Sequence, residues 1–393
     1  MFRTSFRAMF CDIRGGMVTQ SGESQEIIRP YMPELDSVRG IAILMVVFFH
    51  GLAPPLSSPV AGWARTLLAF TQAGWTGVNL FFVLSGFLIT GILLDSKARP
   101  DYFQRFYLRR VLRILPALYL TLAALWLIGQ ISWRFLALSA FFLANSVNFF
   151  GQALQYGPLW SLAVEEHFYL LWPSLVRKFS SSTLALVLTL IWLGTPALRI
   201  VCWLTGHFPQ HAAVFNTWFN LDGLALGSLL ALWVRHPLFS RRRLQQLAPV
   251  ALLGGVAAFV VFSGNSFTVC TLLSSSCNLA SAGLLASMLL LGTSRWNFLV
   301  DRPVLKFFGF ISYGLYLIHL LTFHLVERLL NPLWAPLISI AGPTATMFLR
   351  FALGAGAGIG IAYLSRRSLE EKFLRMRFRT RTAPAAVEST VAG

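Results

Sequence analysis

The sequence predicts an all-α polytopic membrane protein of about ten transmembrane helices with both termini in the cytoplasm. Three observations carry that prediction. Of 393 residues, 56% are hydrophobic and only 12% charged, where a soluble protein carries about 25% charge. Mean hydropathy is +0.66, and the apolar residues gather into stretches near the length of a bilayer crossing. Lys and Arg, finally, are rich and poor in alternate loops.

Ten stretches can be marked against a hydrocarbon core that takes about 20 helical residues to cross. The first five are Gly40 to Leu56, Gly77 to Leu94, Val111 to Ile131, Ser161 to Val176 and Leu184 to Val201. Thr217 to Val234, Pro249 to Ser263, Leu279 to Gly292, Phe307 to Val326 and Met347 to Leu364 follow. The seventh and eighth are the shortest for a crossing. With the N-terminus inside, 27 of the 32 Lys and Arg fall on the cytoplasmic side, as the positive-inside rule requires. An odd number of spans would scramble that alternation.

Residues 1–30 are polar and hold no apolar signal core, so they read as a disordered cytoplasmic tail, with Met17 as an alternative start. Residues 31–364 form the membrane domain, and 365–393 a basic cytoplasmic tail suited to anionic lipid. The net charge of +17 belongs to this topology and not to nucleic-acid binding, because the basic residues lie between apolar spans. Cys11, Cys202, Cys270 and Cys277 show no metal-ligand spacing. Cys270 and Cys277 are expected in an outer loop, either disulfide-bonded or as free thiols. His207 and His211 lack a third ligand, so no metal site is expected.

Ionisable residues inside spans are costly and face a partner or a cavity. His50 lies in the first stretch, eleven residues after Arg39. At 100° per residue the two share a helix face to within about 20°, separated by about 16 Å. Arg39 then stands at the inner surface and His50 deeper, where an imidazole can take a proton from a hydroxyl. Arg110 and Arg113, three apart, enter the third span from the same side. Three guanidinium groups can converge there on one polyphosphate, with a long thin arm reaching inward.

The stretch from Trp160 to Pro173 puts Glu165, Glu166 and His167 in the first turns of a span, on the outer side. Either acid could orient His50 or bind an acceptor hydroxyl, and Tyr169 shares a face with Glu165. Ser312, Tyr316 and His319 share a face of the ninth stretch, as a polar seam or a substrate contact. Asp222 is a buried acid near the outer end of the sixth. Ser85-Gly86 reads as a small-residue notch for close packing.

Taken in order, Pro33-Glu-Leu-Asp36-Ser-Val-Arg39 through His50, Phe81-Phe-Val-Leu-Ser85-Gly-Phe, Arg109-Arg110-Val-Leu-Arg113, Trp160-Ser-Leu-Ala-Val-Glu165-Glu166-His167-Phe-Tyr169 and Ser312-Tyr-Gly-Leu-Tyr316-Leu-Ile-His319 resemble the acyltransferase 3 family of bacterial membrane O-acyltransferases. His167 departs from the glutamine expected there. The resemblance implies a ten-helix bundle in the bacterial inner membrane. It would move an acyl group, often acetyl, from cytoplasmic acyl-CoA to a hydroxyl of an extracytoplasmic saccharide or glycolipid. On that reading His50, Glu165 and Glu166 are catalytic, and His50 is either a base or a transient acyl carrier. Arg39, Arg110 and Arg113 bind acyl-CoA, and Asp36, Trp160, Tyr169, Asp222, Tyr316 and His319 contact substrate. A macrolide-like acceptor is an alternative. A flippase for a lipid-linked sugar, using the same charges without covalent chemistry, is the rival from another class.

Overall fold

A computed structural model describes residues 27–29, 31–52, 60–207 and 215–371. The expectations for the far tails, Cys11, Met17 and His211 lie outside the described residues. Within them the regular structure is helical, with no strand. In chain order the helices are α1 (Pro33–Gly51), α2 (Gly62–Thr71), α3 (Gly77–Asp95), α4 (Tyr102–Leu127), α5 (Trp133–Ala140), α6 (Pro158–Lys178) and α7 (Ser181–Leu204). Then come α8 (Leu221–Trp233), α9 (Arg241–Phe262), α10 (Ser266–Thr271) and α11 (Leu273–Gly292). The last run, Pro303–Ser365, breaks at Gly342, whose φ of 80° interrupts the helix ahead of Pro343. It comprises α12 (303–341) and α13 (343–365).

Each of the ten apolar stretches has most of its described residues on one of these helices, a different helix for each. Six runs are long and apolar enough to cross a membrane, the last of them holding both α12 and α13. The thirteen residues of α8 are too few to count among them. α1 and α6 fall short because Glu34, Asp36 and Arg39, and Glu165, Glu166 and His167, sit inside them. The polar residues that carry the functional argument are thus the ones that weaken the hydropathy signal.

Helix boundaries move where polar first turns hide a start. α4 begins at Tyr102 and α9 at Arg241, each well before its apolar stretch. Arg110 and Arg113 therefore stand within α4, a full two turns from its N-terminus. Ser180 and Ser240 cap α7 and α9, their hydroxyls accepting from the Thr183 and Arg243 amides. Cys270 and Cys277 sit on α10 and α11 as free thiols, so no disulfide joins them.

α1 packs along α12 and α13, α3 along α8, and α9 along α11. The α3–α8 crossing needs glycine on both sides. A Cβ on Gly86 would lie 2.1 Å from the Leu224 carbonyl oxygen, and one on Gly227 would lie 1.9 Å from that of Val83. The small-residue notch is thus a packing feature. Trp172 ties α6 into this layer, donating from Nε1 to Thr90, which donates in turn to Ser228 (2.8 Å each). Leu186 and Leu190 of α7 and Leu253 and Val260 of α9 are exposed, an outward apolar face suited to lipid.

Candidate active site

A cavity of about 120 Å³ opens between α1, α3, α4, α6 and α12. Its wall includes Arg39, Arg110 and Arg113, then Ser85, Ser161, Glu165 and Tyr169, with Ser312, Tyr313 and Tyr316 from α12. Three guanidinium groups from two helices 71 positions apart thus meet on one space. Arg39 also donates to Asp36 at 3.1 Å, one turn before it on α1. Arg110 lies over the Tyr169 ring, 4.6 Å from its centroid, and near Phe106. This stacking holds a cation at the cavity edge without consuming its hydrogen-bond donors.

The two adjacent acids differ. Glu165 is held on both oxygens: Ser85 donates to Oε1 at 2.9 Å and Tyr169 to Oε2 at 2.8 Å. Glu166 has a buried Oε1 with no hydrogen-bond partner among the described residues. Tyr169, bonded to Glu165 and stacked on Arg110, links carboxylate to guanidinium. Ser85 is a site residue that its packing role in sequence had hidden. Ser161 is another, bonded to the Tyr316 hydroxyl.

His50 lies outside the cavity wall. Its Nδ1 is 2.9 Å from the Val46 carbonyl oxygen and 3.3 Å from Nε2 of His319. His319 is buried, and its Nδ1 lies 2.8 Å from the Tyr316 carbonyl oxygen. The Tyr316 and His319 rings are 5.9 Å apart, so Tyr316 stands against both the cavity and the histidine pair. The polar groups on the His50 ring are therefore a carbonyl and a second imidazole, while both oxygens of Glu165 are engaged elsewhere.

Trp160 stacks on Phe215 at 4.7 Å and packs edge-on behind Phe82 of the cavity wall, without lining the cavity itself. Asp222 is fully buried in a separate network. It accepts from Arg199 at 3.0 Å and from Ser275 at 2.6 Å, and Arg199 also donates to the Phe219 carbonyl. His167 pairs with the Thr217 hydroxyl at 2.6 Å, to which Asn145 donates at 2.8 Å. Among the described residues no three His, Cys, Asp or Glu side chains are arranged to hold a metal ion.

Comparison with known proteins fits this arrangement. The profile of the acyltransferase domain family, acyltransferase 3, matches residues 32–367. The chain is 28% identical over 326 residues to YrhL of Bacillus subtilis (strain 168), covering 74% of this chain and 48% of that protein. It is 29% identical over 263 residues to O-acetyltransferase OatA of Staphylococcus aureus (strain NCTC 8325 / PS 47), covering 61% and 41%. Peptidoglycan O-acetyltransferase OatA of Listeria monocytogenes (serovar 1/2a) matches at 29% over 170 residues, 38% of this chain and 25% of that one. The chain thus spans half or less of the length of these relatives. No solved structure matches it. The matched segment holds the arginine-lined cavity and the paired histidines together, and the chain belongs to the acyltransferase domain family.

Proposed function

We propose that this chain is a membrane O-acetyltransferase that moves an acetyl group from cytoplasmic acyl-CoA to a hydroxyl of an extracytoplasmic saccharide. The observation that carries the reading is the cavity wall, where Arg39, Arg110 and Arg113 converge beside Glu165 and Tyr169. Guanidinium forks suit the phosphates of such a donor. The cavity is smaller than the roughly 300–1,000 Å³ of a site that encloses a whole ligand. On this reading only the thioester end of the donor enters it, while the phosphates stay against the arginines of its wall. The names of the OatA relatives favour acetyl as the group and peptidoglycan as the first acceptor to try.

In the proposed step the acceptor oxygen attacks the thioester carbonyl carbon. The new C–O bond forms, the C–S bond breaks, and the hydroxyl proton passes to His50 and then to the departing thiolate. Tyr316 lines the cavity and its ring stands 5.9 Å from that of His319, so on this reading its side chain, bonded to Ser161, moves as the thioester advances. Glu165, fixed by Ser85 and Tyr169, holds the cavity's polar end and balances Arg110.

The same reading gives ten crossings of the bacterial inner membrane, both termini in the cytoplasm, a membrane domain over 31–364 and a basic tail over 365–393. Purified protein incubated with radiolabelled acetyl-CoA and an N-acetylglucosamine oligomer tests it. Label should move to the sugar with the wild type and stay on the donor with His50→Ala at equal protein abundance. Sugar translocation across proteoliposomes without acetylation would replace the enzyme by a carrier.

A further inference from the structure

We propose that His319 is the positioning residue of His50, holding its ring in the tautomer that leaves Nε2 free to accept a proton. The proposal rests on the reading of His50 as the base. It moves His319 from the substrate contacts to the support of the catalytic group.

The hydrogen bonds settle which nitrogen carries hydrogen. A carbonyl oxygen only accepts, so the Nδ1 of His319, 2.8 Å from the Tyr316 carbonyl and 3.3 Å from that of Leu315, is the protonated one. Nε2 of the neutral ring then presents a lone pair. That lone pair faces Nδ1 of His50 at 3.3 Å. The same Nδ1 is 2.9 Å from the Val46 carbonyl, so it must donate, shared between two acceptors. The remaining nitrogen of His50, Nε2, is left unprotonated and pointed away from its own helix backbone.

The carbonyl of Val46 alone would leave the ring free to rock about its bond to the helix. A second acceptor from α12, on a ring tilted 55° to it at 4.9 Å between centroids, removes that freedom. The Phe49 ring also packs edge-on against it, 4.8 Å away. His319 is only 1% exposed, and its own tautomer is fixed by carbonyls of its own helix, so the support is rigid. Tyr316 stands beside the pair, its ring 5.9 Å from that of His319. When His50 takes a proton, its bond to His319 becomes charge-assisted and strengthens. The gain comes after proton transfer has begun, which is where binding energy accelerates a reaction. No buried carboxylate is needed to supply it.

The test uses the full chain in detergent, wild type against His319→Phe and His319→Gln, with acetyl-CoA and an N-acetylglucosamine oligomer. Phe fills the space without an acceptor; Gln retains one. The expected result for His319→Phe is a fall in kcat of about tenfold to a hundredfold, with KM for acetyl-CoA held within about twofold. Gln should recover most of the loss. A loss confined to KM, or a wild-type kcat in His319→Phe, overturns the proposal. If the Phe variant does not fold, His319→Asn, polar but too short to reach, takes its place. A second readout is independent of transfer. In protein carrying ¹⁵N-histidine, assigned with His50→Gln, the Nε2 resonance of His50 should be that of an unprotonated nitrogen. In His319→Phe the two nitrogens should converge toward a tautomer average. An unchanged spectrum removes the role of His319, whereas a wild type that transfers no label removes the enzymatic reading and leaves the spectrum to decide.

Discussion

Gly40 and Gly309 stand on the two sides of one helix crossing, each against the other helix's backbone. A Cβ on Gly40 would meet the Leu305 carbonyl oxygen at 2.1 Å, and one on Gly309 the Asp36 carbonyl oxygen at 2.0 Å. This crossing brings α1 against α12 two to three turns below the point where His50 meets His319. Gly309→Ala should cost about 1–3 kcal/mol through overpacking and separate the two rings. A lower melting temperature together with reduced transfer per folded molecule is the expected outcome. Loss of stability with full transfer would show that the crossing does not set the histidine contact.

Arg110→Lys keeps the charge and loses the planar group that lies on Tyr169. Because an ammonium cannot make a paired, stacked contact, KM for acetyl-CoA should rise by about tenfold, a loss near 1.4 kcal/mol. Direct binding of CoA by calorimetry checks it.

Glu165→Gln and Glu166→Gln should separate cleanly. The first replaces a carboxylate that accepts from both Ser85 and Tyr169, putting an amide NH₂ where an acceptor is needed. Thermal stability should drop by about 1–3 kcal/mol and transfer should fall with it. The second removes charge from a buried oxygen with no partner among the described residues, so stability should hold or rise. A pair of melting curves decides between them.

Arg199 and Asp222 form an ion pair whose side chains are 5% and 1% exposed. Asp222→Leu leaves a buried cation alone and should cost about 3–5 kcal/mol. The double replacement Arg199→Leu with Asp222→Leu should recover part of that loss. Protein that does fold should transfer acetyl at the wild-type rate per molecule. A selective fall in acceptor turnover would instead make Asp222 a substrate contact.

Much of the bundle could be read in the sequence because lipid imposes a simple rule: each apolar stretch became a helix. The residues of the cavity were legible for the same reason, since Arg39, Arg110, Arg113, Glu165, Tyr169 and Tyr316 are polar where polarity is costly. Their mutual placement was not. Arg110 and Tyr169 are 59 positions apart, and nothing in local periodicity says that their side chains stack. Glu165 reads as an outer-surface acid, yet it shares a wall with Arg39, Arg110 and Arg113, because α6 starts at Pro158 and places it two turns along the helix. His319 reads as a seam residue because its partner is 269 positions away. Asp222 could not be told from a substrate group because Arg199, its counterion, lies on another helix and looks from sequence like a stray outer charge.

That counterion also constrains how the chain is made. Neither a lone guanidinium nor a lone carboxylate rests cheaply in hydrocarbon, so α7 and α8 gain from leaving the insertion machinery side by side. Lengthening the connection between them should delay the meeting of the two charges, with degraded nascent protein as the expected first symptom, ahead of any defect in the finished molecule.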